Sequence, residues 1–249
     1  MEREVDWLLK EKYNGEKSEG FFADCERLAA GEPLAYLIGH VPFLGATIHL
    51  DSRPLIPRPE TEFWTEKAIE EMRAHPNASG VRVLDLCAGS GCIGIAVQRA
   101  LPNANVDFVE IDKKHHSNIQ RNVEINDIDS KRARVFGGDL FKNVCDTYDI
   151  ILSNPPYIDP ALDRTEESVK AHEPARALYG GTNGTEIIAR IITESPHRLK
   201  ENGVLYIEHE PEQEAFIQAH GSETGFNVST HPDQFGIQRY SRLTRQSVA

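Results

Sequence analysis

Residues 149–159 read Asp-Ile-Ile-Leu-Ser-Asn-Pro-Pro-Tyr-Ile-Asp. An apolar run leaves Asp149, stops at Ser153, and gives way to Asn154, Pro155, Pro156 and Tyr157. Neither proline can donate a backbone hydrogen bond, so the segment cannot continue a buried strand. One reading is a rigid turn; the other is a holder for a flat NH2 group. Such a nitrogen, on an amide or an aromatic ring, is a poor nucleophile because its lone pair is delocalised into the attached π system. Two acceptors that receive its two N–H bonds would fix its orientation. Asn154 offers a side-chain carbonyl, and Pro155 a main-chain carbonyl stiffened by the Pro-Pro unit. Tyr157 offers a face against which a planar group packs. Held opposite an electrophilic methyl, the nitrogen would gain rate from proximity and orientation. No strong base is needed before attack, since the proton can leave once nitrogen carries positive charge.

A second cluster lies upstream, at Asp85-Leu86-Cys87-Ala88-Gly89-Ser90-Gly91-Cys92-Ile93-Gly94. Gly89, Gly91 and Gly94 fit the G-x-G-x-x-G spacing that opens a helix after a strand. Glycine permits a tight turn and close ligand approach, and the helix start offers free N–H groups. Asp112 follows about 21 residues beyond Gly91, where a carboxylate can accept ribose hydroxyls. These features suit NAD, FAD and S-adenosylmethionine alike. Asp85 separates them, because a carboxylate beside the loop would repel a pyrophosphate and attract the ammonium and sulfonium of S-adenosylmethionine. A backbone-capping role for Asp85 competes with that reading. Asp139 and Leu140, after a later strand, could meet an adenine amine and cover its ring; a surface turn is the alternative for Asp139.

The elements that must position these residues are legible as periodicity. Residues 1–30 read as a short helical hairpin and 31–59 as a strand-and-turn linker. From residue 60 to 249 strands and helices alternate. Trp64, Ala68 and Met72 stripe one helix, followed by the HPNASG turn. Residues 81–86, 106–111, 133–136, 148–153 and 203–208 read as strands, with helices over about 91–101, 114–126, 185–198 and 211–221. This alternation predicts a mostly parallel sheet covered on both faces. Strands at 226–229 and 239–244 are separated by nine residues, too few for a parallel crossover, so they should pair antiparallel. The expectation is an α/β fold with seven strands, a closing antiparallel hairpin and a small N-terminal helical piece.

Composition bounds the class. A chain of 249 residues, 39% apolar and 27% charged, has the balance of a soluble globular protein. No apolar run approaches the roughly 20 residues of a membrane span. The charged N-terminus suits neither a signal nor a transit peptide. Cys25, Cys87, Cys92 and Cys145 show no metal-ligand spacing, so a reducing, cytoplasmic compartment is expected. His115-His116 and Glu208-His209-Glu210 likewise fit no metal site. A net charge of -12 with no dense basic run leans against direct nucleic-acid binding and towards a small-molecule or protein partner.

The motifs together resemble the HemK/PrmC family of class I S-adenosylmethionine-dependent methyltransferases, which modify the glutamine of the GGQ motif in peptide-chain release factors. The resemblance rests on GEPLAYLIG (31–39), LIPRPETE (55–62), VLDLCAGSGCIGIAV (83–97), SNPPYI (153–158), HEPARALYGGTNG (172–184) and LYIEH (205–209). NPPY alone is shared with adenine methyltransferases of DNA and RNA. The resemblance implies a Rossmann-like fold, S-adenosylmethionine as cofactor and a release factor as protein partner. By position, it implies that Cys87, Ala88, Gly89, Ser90 and Gly91 cradle the cofactor. Asp112 would bind the ribose, Asp139 and Leu140 the adenine, and Asn154, Pro155, Pro156 and Tyr157 the substrate amide, with Asn154 also contacting the cofactor. Arg58 would wall the methyl-transfer end of the pocket, and Glu173 and Pro174 would shape the loop over it. Two departures stand out. About thirty residues precede GEPLAYLIG where the family carries a longer helical domain. Cys-Ala-Gly-Ser-Gly replaces the frequent Gly-Thr-Gly-Thr-Gly, a change expected to be harmless.

Overall fold

The computed structural model describes residues 2–74, 80–162 and 164–246. The HPNASG turn expected after the first long helix lies, apart from Gly80, outside the described residues. Seven strands form one sheet: β3 (Arg82–Leu86), β4 (Asn105–Glu110), β5 (Ala133–Gly137), β6 (Tyr148–Ser153), β7 (Leu199–Glu208), β8 (Phe226–Pro232) and β9 (Gln238–Arg245). Their order is β5-β4-β3-β6-β7-β9-β8. The first five pair in parallel, and β9 runs antiparallel to both β7 and β8. The expected closing hairpin is present, with β9 inserted beside β7.

Both faces of the sheet are apolar because successive strand side chains point to opposite sides. Val83, Phe108, Ile150 and Leu152 face α4 (Pro59–Ala74), α5 (Cys92–Ala100) and α6 (His116–Ile125). Leu84, Leu86, Ile151 and Leu205 face α8 (Glu186–Glu194) and α9 (Glu214–Glu223). The Trp64, Ala68 and Met72 stripe of α4 is fully buried. Close packing makes one glycine obligatory: a Cβ at Gly94 would collide with the Phe108 ring and with Val106. The third glycine of the loop motif therefore seats α5 on β4.

At the N-terminus α1 (Glu2–Glu11), α2 (Glu19–Ala29) and α3 (Leu34–Ile38) pack around Leu8, Phe21 and Leu37 as a satellite core. The linker region folds as this short α3 followed by an antiparallel pair, β1 (His40–Phe43) and β2 (Ala46–His49). Phe43, Ile48 and Ile56 join the main core. The free edge of β2 is occupied by asparagines spaced four apart, Asn122 on α6 and Asn126 at its C-cap. Asn126 accepts from the Thr47 N–H at 3.0 Å and donates to its carbonyl at 2.8 Å. Asn122 treats His49 in the same way, at 2.8 and 3.0 Å. Side-chain amides here replace a neighbouring strand and protect an edge.

Beyond β7, His209 is buried between elements. Its Nδ1 donates to the Glu210 carbonyl at 2.8 Å, and its Nε2 lies 2.9 Å from the Ser241 hydroxyl. Burial lowers its pKa to about 4, below the value near 6.5 of an unfolded histidine. The neutral ring therefore contributes stability above about pH 6.5 that is lost as pH falls. Urea unfolding should show the protein losing about 2 kcal/mol between pH 7 and pH 5 through this group. His209→Gln should flatten the decline by that amount; an unchanged slope would contradict the assignment.

Candidate active site

The sheet order places the crevice. From β3 the chain winds one way through β4 and β5, and from β6 the other way through β7. The carboxyl ends of β3 and β6 thus flank a topological switch point, where open α/β sheets bind ligands. The glycine loop leaves β3 there and Asn154 leaves β6.

A cavity of about 480 Å³ occupies this crevice, bounded by Cys87, Gly89, Asp112, Asp139, Leu140 and Asn154 among others. Two of its wall residues are strained: Cys87 (φ 63) and Leu140 (φ 47) hold left-handed backbone without being glycine. Cysteine at position 87 therefore carries a backbone cost that a glycine would not. Burial pushes the Cys87 thiol up, so it stays protonated and is no nucleophile.

The acids divide by role. Glu110, at the end of β4, accepts the Gly89 N–H and the Asp112 N–H, each at 2.8 Å. One carboxylate thereby ties the glycine loop to the Asp112 turn. Burial raises its pKa, against the opposing pull of those two bonds. Asp112 is half-exposed on the cavity wall and caps the next turn by accepting from the Lys114 N–H at 3.1 Å. Asp139 also reaches the cavity, with both oxygens paired to the Arg190 guanidinium at 3.1 and 3.0 Å.

Asp85 stands behind this wall. It is fully buried, and its Oδ2 accepts the Gly94 N–H at 2.9 Å. Its Oδ1 is buried without a partner among the described residues. Burial pushes its pKa up to about 8, so near neutral pH it is largely uncharged. The repulsion argument from sequence required an ionised Asp85 at the ligand; the structure instead gives it a capping bond on α5. Ala88, Ser90 and Gly91 also lie outside the cavity lining. Their backbone shapes the loop: Gly91 N–H donates to the Ala88 carbonyl at 2.7 Å, and Ser90 accepts from Asn122 at 3.0 Å.

A smaller pocket of about 110 Å³ adjoins the larger cavity, walled by Arg58, Asn154, Pro155, Tyr157, Val169 and Leu178 among others. Asn154 lines both spaces, and Pro156 faces the larger one. A side-chain amide thus stands where the two cavities meet. Its Nδ2 donates to the Thr61 hydroxyl at 2.9 Å. Thr61 and Trp64 donate to Oε2 of Glu208 at 2.7 and 2.6 Å, and Tyr157 donates to Oε1 at 3.0 Å. Burial raises the Glu208 pKa while the three donors pull it back. Burial, then the Glu208 charge, drive the Tyr157 pKa well above that of a free phenol.

Arg58 finds a partner that sequence could not supply. Its guanidinium meets Glu173 Oε1 at 2.6 Å, while Glu173 Oε2 accepts the Ile56 N–H at 2.9 Å. The LIPRPETE segment is thereby pinned to the loop after α7 (Glu167–His172). That loop clasps the tetrapeptide from behind: Ile158 N–H donates to the Leu178 carbonyl at 2.9 Å and Gly180 N–H to the Ile158 carbonyl at 3.0 Å. A Cβ at Gly180 would stand 2.6 Å from the Pro156 carbonyl. Glycine at 180 is a packing requirement of the site.

The donor set fits S-adenosylmethionine. The larger cavity offers apolar walls at Leu140, Val109 and Ile187 for a flat base, with Asp112 for hydroxyls. The orphaned Asp85 Oδ1 is a buried polar atom without a partner close behind the loop. Glu110 and Glu208 are the site residues that the motifs did not indicate. Each is the carboxylate that ends the apolar run of its strand, and that position was the available signal.

A family model described as methyltransferase small domain matches residues 66–171. A release factor glutamine methyltransferase of Lactococcus lactis is 33% identical over 242 residues, covering 94% of this chain and 86% of that protein. A ribosomal protein uL3 glutamine methyltransferase of Bradyrhizobium diazoefficiens is 34% identical over 190 residues, 74% of this chain and 59% of that one. Among solved structures, the T. thermophilus 16S rRNA N2 G1207 methyltransferase, in complex with AdoMet and guanosine, superposes with a TM-score of 0.59. It covers 84% of this chain and 50% of that one at 19% identity, a likeness of fold alone.

Glu173 supplies the first test of this geometry. Glu173→Ala should lower unfolding stability by about 2 kcal/mol, the scale of hydrogen bonds to a charged group. A change under about 0.5 kcal/mol, the scale of an ordinary surface substitution, would contradict the clasp.

Proposed function

The chain belongs to the release factor glutamine methyltransferase family, and we propose that it methylates the side-chain amide nitrogen of the GGQ glutamine in a peptide-chain release factor. S-adenosylmethionine, when bound, supplies an electrophilic methyl group on a sulfonium. Cys87, Gly89, Asp112, Asp139 and Leu140 would hold it in the larger cavity. Asn154 Oδ1 and the Pro155 carbonyl would accept the two N–H bonds of the glutamine amide, and Tyr157 would pack against its plane. The observation that carries this reading is the position of Asn154 on the wall of both cavities.

The pocket walls suit a neutral acceptor. Val169 and Leu178 face it with apolar surface, and the Arg58 charge is spent on Glu173. Tyr157 keeps its proton and donates a hydrogen bond to Glu208 Oε1, so it acts as a surface and not as a base. Methyl transfer would break the S–C bond as the N–C bond forms, leaving a neutral thioether, and the then positively charged nitrogen would release its proton without a dedicated base. Orientation of the weak nucleophile is what these residues contribute.

Incubation with S-adenosylmethionine and a purified release factor should add one methyl mass to the GGQ peptide, read by mass spectrometry. A release factor with that glutamine changed to alanine should stay unmodified, and labelling that persists would defeat the proposal. The uL3 glutamine, the acceptor named for the Bradyrhizobium relative, belongs in the same assay to rank the two proteins. Asn154→Ala should lower turnover with cofactor affinity nearly unchanged. Asp112→Ala should instead weaken cofactor binding by about 1–3 kcal/mol. Loss of cofactor binding in Asn154→Ala would reverse the roles.

A further inference from the structure

We propose that Thr61 and Glu208 are positioning residues that dictate which atom of the Asn154 amide faces the acceptor. The inference rests on the reading of Asn154 as the ligand of the substrate amide. An asparagine side chain presents an acceptor on one side and a donor on the other, and the two orientations have nearly the same shape. An NH2 turned towards a substrate NH2 would repel it. Something must choose.

The choice follows from counting protons along a buried chain. Trp64 Nε1 can donate but never accept, and it lies 2.6 Å from Glu208 Oε2. That oxygen accepts from the indole, and in the ionised carboxylate, which three donors surround, it has no proton to give. Thr61 Oγ1 lies 2.7 Å from the same oxygen and has one proton, which it gives. With its proton committed, the hydroxyl oxygen can only accept from Asn154, 2.9 Å away. The group turned to Thr61 is the NH2, which leaves Oδ1 as the atom available to the pocket. Thr61, Trp64 and Glu208 are each at most 2% exposed, so water does not compete for these bonds. The other Glu208 oxygen accepts from Tyr157 at 3.0 Å. One carboxylate thus orients both the acceptor amide and the aromatic face beside it.

The chain joins the start of α4, the end of β7 and the loop after β6, with 147 and 93 residues separating its bonded pairs. It also gives the LIPRPETE threonine a role distinct from that of Arg58. Arg58 fastens a loop, whereas Thr61 passes on a hydrogen-bond polarity.

The test uses the full chain and reads the amide itself. In 15N–1H spectra the Asn154 NH2 signal is identified by its loss in Asn154→Ala. In the wild type it should exchange with solvent more slowly than exposed asparagine side chains. Thr61→Val should shift that signal and speed its exchange about tenfold, the scale of one hydrogen bond, while Thr61→Ser preserves it. In methyl-transfer assays Thr61→Val should lower kcat by about 10- to 100-fold with unchanged cofactor affinity. Thr61→Ser should restore turnover. On the Asn154→Ala background, Thr61→Val should cost less than about twofold, because its effect passes through Asn154.

Wild-type exchange as fast as that of an exposed asparagine would overturn the proposal even if Thr61→Val failed to fold. An unchanged Asn154 signal in Thr61→Val, or equal kcat losses in both backgrounds, would overturn it too. A wild-type protein that methylates neither release factor nor uL3 would defeat the proposed function instead. The exchange measurement would still decide the positioning.

Discussion

A buried carboxylate organises this site. Glu208 ends β7 in the protein interior, where an unpaired charge would be prohibitively costly. Three hydrogen-bond donors make it tolerable: Thr61 and Trp64 from α4, and Tyr157 from the loop after β6. Because the carboxylate needs all three, it fixes the helix and the loop relative to each other. The Asn154 amide is oriented as a consequence, through Thr61. A second buried carboxylate, Glu110, does the matching work on the other wall by joining the glycine loop to Asp112. Strand ends are rigid, so both acids act as fixed points for loops that could otherwise move.

The surrounding segments are tied down by the same logic. Glu173 holds Arg58 and Ile56, the loop through Gly180 backs the tetrapeptide, and the asparagines of α6 hold β2. Backbone groups in irregular segments must find partners when buried, and here side chains supply many of them. Strain persists where the cavity is lined, at Cys87 and Leu140. Packed surroundings can hold such residues at a cost of about 1–3 kcal/mol each.

What the sequence conveyed, and what it withheld, divides along contact distance. The parallel sheet, its antiparallel close and the Trp64 stripe are written in local periodicity, and all three appear as expected. The GxGxxG spacing and the Asn-Pro-Pro-Tyr segment are local too, and they fall on either side of the switch point. Asp85 was read either for its charge or as a backbone cap; burial raises its pKa, and it makes the capping bond on α5. Cys87 looked like a harmless change of side chain, because a positive φ cannot be seen in a residue name. The partner of Arg58 lies 115 residues away, and Thr61 meets Glu208 across 147. Such pairs depend on how α4 docks against the sheet, which no spacing rule encodes. The small helix α3 was hidden by the flanking glycines and proline, which signal turns.

The central claim is that the Asn154 carbonyl receives the acceptor nitrogen at the junction of two cavities. A crystal structure with the demethylated cofactor product and a GGQ peptide tests it most directly. The account predicts the product in the larger cavity and the glutamine side chain in the smaller pocket, its amide nitrogen bonded to Asn154 Oδ1. A glutamine amide facing bulk water, or seated in the groove beside Phe216 and Arg164 while Asn154 stays unengaged, would contradict it.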